Sequence, residues 1–176
     1  MDSAEALALT SKDAAQLEAL RWRAWRVYFE STARMQDEID SALREGAGVS
    51  LPDYNVLLLL SEAPDRKLRF KELAKRMSFS KSRLSYQVKV LAKRGLVSRQ
   101  SVESDARGLY VQLTDLGVET FVRAGRLHAR HVKRLMLQSL SESEAEALVS
   151  VFSRLSENLE ESSQAPSSGA ACKASA

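Results

Sequence analysis

Between residues 80 and 89 the chain concentrates hydrogen-bonding side chains: Ser80, Lys81, Ser82, Arg83, Ser85, Tyr86, Gln87 and Lys89. Leu84, Val88 and Leu91 interleave with them at helical spacing. One face of such a helix suits a core, and the other suits a polar, anionic surface. Guanidinium, ammonium, hydroxyl and amide groups are those that contact base edges and phosphates. A second group sits on a polar loop, where Asp105 precedes Arg107 by two residues. Arginine is favoured in a narrow, electronegative minor groove. A carboxylate beside it fixes its rotamer through a charge-assisted hydrogen bond. An ordinary turn ion pair, worth at most about 1 kcal/mol, is the competing explanation of these two residues. Arg99 completes the candidate DNA-contact set.

The charge distribution supports that set. The whole chain has a formal net charge of only +3. Residues 66–110, however, carry 13 basic and 3 acidic side chains, whereas residues 1–65 carry 6 basic and 12 acidic. The basic block is the electrostatic footprint of a polyanion binder. A solvated basic surface with no partner would explain the charge alone.

The elements that must position these residues are mostly helical. Residues 13–45 form one long helix with two apolar stripes, Leu17, Leu20, Ala24, Val27 and Met35 on one and Trp22, Trp25 and Phe29 on the other. Two stripes mean two surfaces to bury. Ser50, Pro52 and Asp53 start a second helix, whose run Val56–Leu60 is central. Leu68 to Met77 is expected to be a short amphipathic helix, and Ser80 to cap the next, 81–93. Residues 96–101 and 108–113 are two expected strands, with Leu109, Val111 and Leu113 alternating against Tyr110 and Gln112. Thr114 opens a helix to about Leu137, and Ser141 with Glu144 forms a capping box for a last one. The expected class is mainly α with a small two-stranded antiparallel wing: a winged helix-turn-helix flanked by long helices.

Other chemistries have few carriers. The chain has 2 His and 1 Cys, with no Gly-rich phosphate loop, no HExxH and no triad at motif spacing. No enzyme activity, metal or cofactor is expected. His128 and His131 lack carboxylates close in sequence to complete a metal site, and Cys172 lies in a Ser/Ala-rich tail. The N-terminus has no basic region of a secretory signal, and no apolar run approaches the roughly 20 residues of a membrane span. A cytoplasmic protein without membrane contact is expected.

The stretch from Phe70 to Gly117 resembles the winged-helix core of the MarR family of bacterial transcription regulators. The elements that carry the resemblance are Glu72-Leu73-Ala74, Ser80-Lys81-Ser82, Leu91 through Gly95-Leu96-Val97, Asp105-Ala106-Arg107, and Leu113-Thr114 with Gly117. The flanks are similar too, over about residues 15–160. The resemblance implies a homodimer on pseudo-palindromic double-stranded DNA, with a dimerisation helix at 1–48, a DNA-binding domain at 49–113 and dimerisation helices at 114–161; the Ser- and Ala-rich composition of 162–176 is that of a flexible tail. It implies that the helix from Ser80 to Lys89 reads the major groove and Arg107 the minor groove. Repression is the default sign, since a dimer across a promoter blocks polymerase. The family often has arginine where this chain has Tyr86. Three roles for Tyr86 stand open: a donor to base or phosphate, a surface against a thymine methyl, or a brace for the first helix of the pair.

Many members of the family bind small aromatic acids or phenols between the dimer helices and the DNA-binding lobe. Trp22, Trp25, Arg26, Tyr28, Tyr54 and His128 are the candidates for such a pocket here, with core or dimer packing as the alternative for each aromatic. Such a ligand would act by changing the separation of the two reading helices, through unequal affinity for the two spacings. A winged helix that docks on a protein is the competing function. A Lys- and Ser-rich face with no aromatic anchor beyond Tyr86 disfavours it.

Overall fold

A computed structural model describes residues 3–77, 79–102 and 105–164, with backbone alone for 3–12, 102, 105–108, 163 and 164. Its element order is α1 (Ser3–Ala47), α2 (Leu51–Ser61), β1 (Lys67–Arg69), α3 (Phe70–Met77), α4 (Lys81–Lys93), β2 (Val97–Val102), β3 (Asp105–Leu113), α5 (Asp115–Leu135) and α6 (Glu142–Gln164). Contacts divide the chain into two units, 1–135 and 136–176.

α1 stops at Gly48, whose φ of +69° is a backbone state that side chains disfavour. Ser50 then caps α2. Its hydroxyl accepts the Asp53 N–H at 3.1 Å while the Asp53 carboxylate accepts the Ser50 N–H at 3.0 Å, a reciprocal capping box. Val56, Leu57 and Leu60 are fully buried, so α2 is the central helix the apolar run predicts. The core closes around it with Leu43 and Val49, Leu73 of α3, Leu84, Val88 and Leu91 of α4, Val111 of β3 and Ala124 of α5.

The segment after α2 departs from the sequence expectation. Asp65 and Arg66 both have positive φ, 53° and 54°, and the Lys67 N–H bonds back to the Pro64 carbonyl. This tight turn aims Lys67–Arg69 along β3, pairing Leu68 with Val111 in antiparallel register. Leu68 is buried between less buried Lys67 and Arg69, a period of two, so it belongs to a strand and α3 begins at Phe70. The sheet thus has three strands, in the order β1-β3-β2.

α5 begins against the sheet. Thr114 Oγ1 accepts the Gly117 N–H at 3.0 Å and donates to the carbonyls of Gly95 and Leu96, at 2.7 and 3.1 Å. A Cβ on Gly117 would lie 2.0 Å from the Leu96 carbonyl oxygen. Only glycine allows this approach.

In the second unit, the Ser141 N–H donates to the Glu144 carboxylate at 2.8 Å, and the Glu144 N–H to the Ser141 hydroxyl at 3.4 Å. This is the expected box, and its hydrogen bonds from Ser141 hold the Glu144 carboxyl below its ordinary pKa. α6 runs to Gln164, so the first residues of the expected tail are helical. The rest of that tail, Cys172 included, lies outside the described residues.

Candidate nucleic-acid interface

Ser80 caps α4 by accepting the Arg83 N–H at 3.3 Å, and its hydroxyl lies 3.1 Å from that of Ser82. Leu84, Val88 and Leu91 point into the core. Ser80, Lys81, Ser82, Arg83, Ser85, Tyr86 and Lys89 are all exposed, as the periodicity predicts. The guanidinium of Arg83 stacks over the Phe79 ring at 4.0 Å, which restricts its rotamers at the turn. Tyr86 is 70% exposed, so it does not brace the neighbouring helix. Gln87 departs from its group: it is half-buried and its side-chain amide donates to Asp53.

The wing stands beside this face. β2 and β3 pair from Val97↔Leu113 out to Val102↔Asp105, with an irregularity between Ser101 and Val102. Arg99 is exposed on β2. Asp105 and Arg107 fall on the backbone of β3, but their side chains lie outside the described residues.

On one sheet face the structure assembles a group that the sequence reading missed. Lys67 Nζ donates to Gln100 at 2.7 Å and lies 4.6 Å from the centre of the Tyr110 ring. Arg69 donates to the Tyr110 hydroxyl at 3.1 Å, and Gln100 donates to Gln112 at 2.8 Å. The alternation of Lys67, Leu68 and Arg69 is the sequence signal for this face, and over three residues it is outweighed by the helical spacing that follows.

The six candidate ligand residues divide into two groups. Trp22, Trp25, Arg26 and Tyr28 lie on the exposed half of α1, where Trp25 and Tyr28 have ring centres 5.9 Å apart. Tyr54 and His128 meet elsewhere, stacked at 4.7 Å, with Phe121 stacked on Tyr54 at 5.8 Å. Burial lowers the His128 pKa below its ordinary value. Burial, followed by the charge of Glu62, raises that of Tyr54.

A groove of about 550 Å³ opens between α1, α2 and the start of α4, and none of those six residues lines it. Asp40, Arg44, Leu51, Asn55, Phe79 and Arg83 are among those that do. Burial pushes the Asp40 carboxyl up. The Leu51 N–H and Arg44 outweigh that and hold it below the ordinary range.

His131 faces Arg134, its Nδ1 3.3 Å from the guanidinium, and Arg134 pairs with Glu38 at 2.5 Å. Among the described residues, no cluster of three or more His, Cys, Asp or Glu has metal-binding geometry. None of their helices is long and apolar enough to cross a membrane.

A capped helix behind a short helix, followed by a β-ribbon, defines a winged helix-turn-helix protein. Residues 47–108 match the model of the MarR family. The chain is 30% identical over 114 residues to the HTH-type transcriptional repressor YetL of Bacillus subtilis (strain 168), spanning 65% of this chain and 68% of YetL. It superposes with a TM-score of 0.75 on Sco3205, a MarR family transcriptional regulator from Streptomyces coelicolor crystallised in complex with DNA, at 33% identity over 85% of this chain and 91% of that one. AbsC, a MarR family regulator from the same organism, also gives 0.75, at 31% identity over 80% and 94%. The chain belongs to the MarR family of transcriptional regulators, a family of regulators and not of enzymes.

Proposed function

We propose that this regulator is a DNA-binding repressor that acts as a homodimer on a pseudo-palindromic operator. The observation that carries the reading is the exposed cationic and hydroxyl face of α4, set beside the wing within the +10 block of residues 66–110. Sco3205 is a relative seen in complex with DNA, and YetL is a relative named a repressor. In this reading, Ser80, Lys81, Ser82, Arg83, Ser85, Tyr86 and Lys89 face the major groove. Arg99 contacts the backbone, and Arg107, steadied by Asp105, enters the minor groove. Tyr86, standing clear of the protein, gives a hydroxyl to a base or phosphate and a ring edge to a thymine methyl.

Two apolar faces support the dimer. Leu17, Leu20, Trp22, Trp25, Val27 and Phe29 of α1 are exposed, as are Val149, Val151, Leu155 and Leu159 of α6. Exposed apolar surface on this scale marks an association site. A small aromatic acid is the effector class that the groove beside Arg44, Phe79 and Arg83 would accept, and its occupant would press on both α1 and the first turn of α4. Tyr54 and His128 then belong to packing, and Trp22, Trp25, Arg26 and Tyr28 to the dimer face.

Selection of duplexes from a random library by the purified protein, then titration at several salt concentrations, tests the reading. The expected outcome is a two-fold symmetric consensus. Affinity should fall steeply with salt, by a log–log slope of about 0.9 per phosphate contact. Arg107→Ala should bind the selected duplex far more weakly while unfolding at the wild-type temperature. A mutant that binds like wild type would remove the minor-groove role. Protein that selects no duplex would leave docking on a protein as the better reading.

A further inference from the structure

Two helices, α2 and α4, meet at one carboxylate, and α1 is tied to both through neighbouring contacts. Asp53, the third residue of α2, is 6% exposed. Its Oδ2 accepts the Ser50 N–H at 3.0 Å and lies 3.7 Å from Arg94 Nη1. Its Oδ1 accepts the side-chain amide of Gln87. Arg94, which ends α4, also donates to the Gly48 carbonyl beyond the last turn of α1, at 2.6 Å. On α1, Asp40 Oδ1 accepts the Leu51 N–H at 2.6 Å. These contacts close a ring. Asp40 ties α1 to the start of α2, Asp53 ties α2 to α4, and Arg94 ties α4 back to the end of α1.

A helix cap explains only one of these bonds. Capping needs the pair Ser50 and Asp53, and it needs neither burial nor reach into α4. Gln87 and Arg94 are seven residues apart on α4, about two turns or about 10 Å along its axis. The hydrogen bonds of Gln87 to Asp53 and of Arg94 to the Gly48 carbonyl are directional anchors at that separation and fix both the rotation of the helix and its slide, while the ion pair of Arg94 with Asp53 at 3.7 Å adds a less directional attraction. The apolar contacts of Leu84, Val88 and Leu91 are less directional. Rotating a helix by about 20° moves side chains at a radius of about 5–6 Å by about 2 Å. That is enough to break a hydrogen bond to a base edge. Tyr86 adjoins Gln87 in sequence, and Ser82 and Lys89 share its exposed face.

We propose that Asp53 is a positioning residue for the reading helix: through Gln87 and Arg94 it sets the rotation and axial seat of α4 against α1 and α2, and so governs discrimination between DNA sequences. The role rests on the DNA-binding reading above. It assigns the half-buried Gln87 amide to Asp53, although its residue type and place on α4 equally suit a base contact.

The test compares wild type, Gln87→Glu, Asp53→Asn and the double exchange Asp53→Asn/Gln87→Glu. The DNA probes are a duplex selected from a random library by the wild-type protein and a scrambled duplex of equal length. Discrimination is the ratio of the two affinities, which cancels general charge effects, and thermal unfolding reports the fold. Gln87→Glu sets two carboxylates against each other and is expected to lower discrimination about tenfold, the size of coupling typical of touching residues. The double exchange has the wild-type net charge. In it the amide introduced on α2 would donate to the carboxylate introduced on α4, the same bond with its polarity reversed. Its discrimination is expected within about threefold of wild type.

Wild-type discrimination by Gln87→Glu would overturn the proposal. So would a double exchange no better than Gln87→Glu, the result expected if Gln87 read DNA itself. If Gln87→Glu does not fold, Arg94→Leu replaces it: lowered discrimination supports the role, and unchanged discrimination overturns it. Wild-type protein that selects no duplex would overturn the DNA-binding reading, and the positioning role with it. That outcome is separate from a wild type that binds while the exchange fails to rescue.

Discussion

At the scale of single residues, two backbone positions pull stability in opposite directions. Gly117 sits where a Cβ would lie 2.0 Å from the Leu96 carbonyl oxygen. Gly117→Ala must therefore push the first turn of α5 away from the sheet. We expect it to destabilise the fold by about 3 kcal/mol, the upper end for over-packing, measured by urea denaturation. Arg66 is the converse. It holds a φ of 54° that suits glycine, and its exposed side chain gives no packing in return. Arg66→Gly should stabilise by about 1 kcal/mol, the left-handed penalty less the entropy of glycine. An unchanged or lower midpoint in the same measurement would contradict the strain. The exposed face of α4 was legible residue by residue, because burial follows a 3.6-residue period. Gln87 was not. Its angular position lies at the flank of the apolar stripe, and only the three-dimensional approach of Asp53 draws it inward.

At the scale of elements, the caps were legible because each is a local pattern. Ser50, Ser80, Thr114 and Ser141 with Glu144 all cap as their types and positions predict, and Asp53 closes a box with Ser50 that its type alone did not announce. β1 was not legible, because a three-residue strand leaves too short an alternation to outweigh the helical spacing that follows it. Its identity comes from pairing with β3, a contact some forty residues distant. The junction of α2 with α5 carries a pH prediction. His128 stacks on Tyr54, and burial lowers its pKa. As pH falls below about 6.5, the unfolded chain takes up the proton before the folded one. Stability is therefore full above that value and declines as pH drops toward the folded pKa. His128→Phe keeps a ring on Tyr54 and removes the titration. Unfolding midpoints at about pH 7 and about pH 5 should fall further for wild type than for the variant, relative to each protein's own value at the higher pH. An equal fall in both would assign the acid sensitivity to other groups.

At the scale of the whole molecule, the mainly helical fold class and an exposed basic face on α4 were legible from periodicity and charge together. The groove between α1, α2 and the start of α4 was not. Aromatic residues at helical spacing advertise apolar surface without saying what covers it, and the groove proves to be lined by charged, apolar and amide residues from separate elements. The uncovered face of α1 carries the prediction at this scale. If two copies bury it against each other, folding is linked to association and the unfolding midpoint rises with protein concentration. Trp25→Glu should abolish that dependence and sediment as a monomer. A midpoint independent of concentration across a hundredfold range would argue against the dimer.

Both tryptophans of the chain, Trp22 and Trp25, stand on that one exposed half-helix, 64% and 55% accessible. No tryptophan lies in α4 or the wing. Tryptophan emission, excited at the red edge where the tyrosines do not absorb, is therefore a private optical channel for the state of α1. Its wavelength should move to the blue as copies associate and stay still when α4 alone is altered. Quenching by iodide in dilute and concentrated solution would separate assembly from DNA docking without any added label.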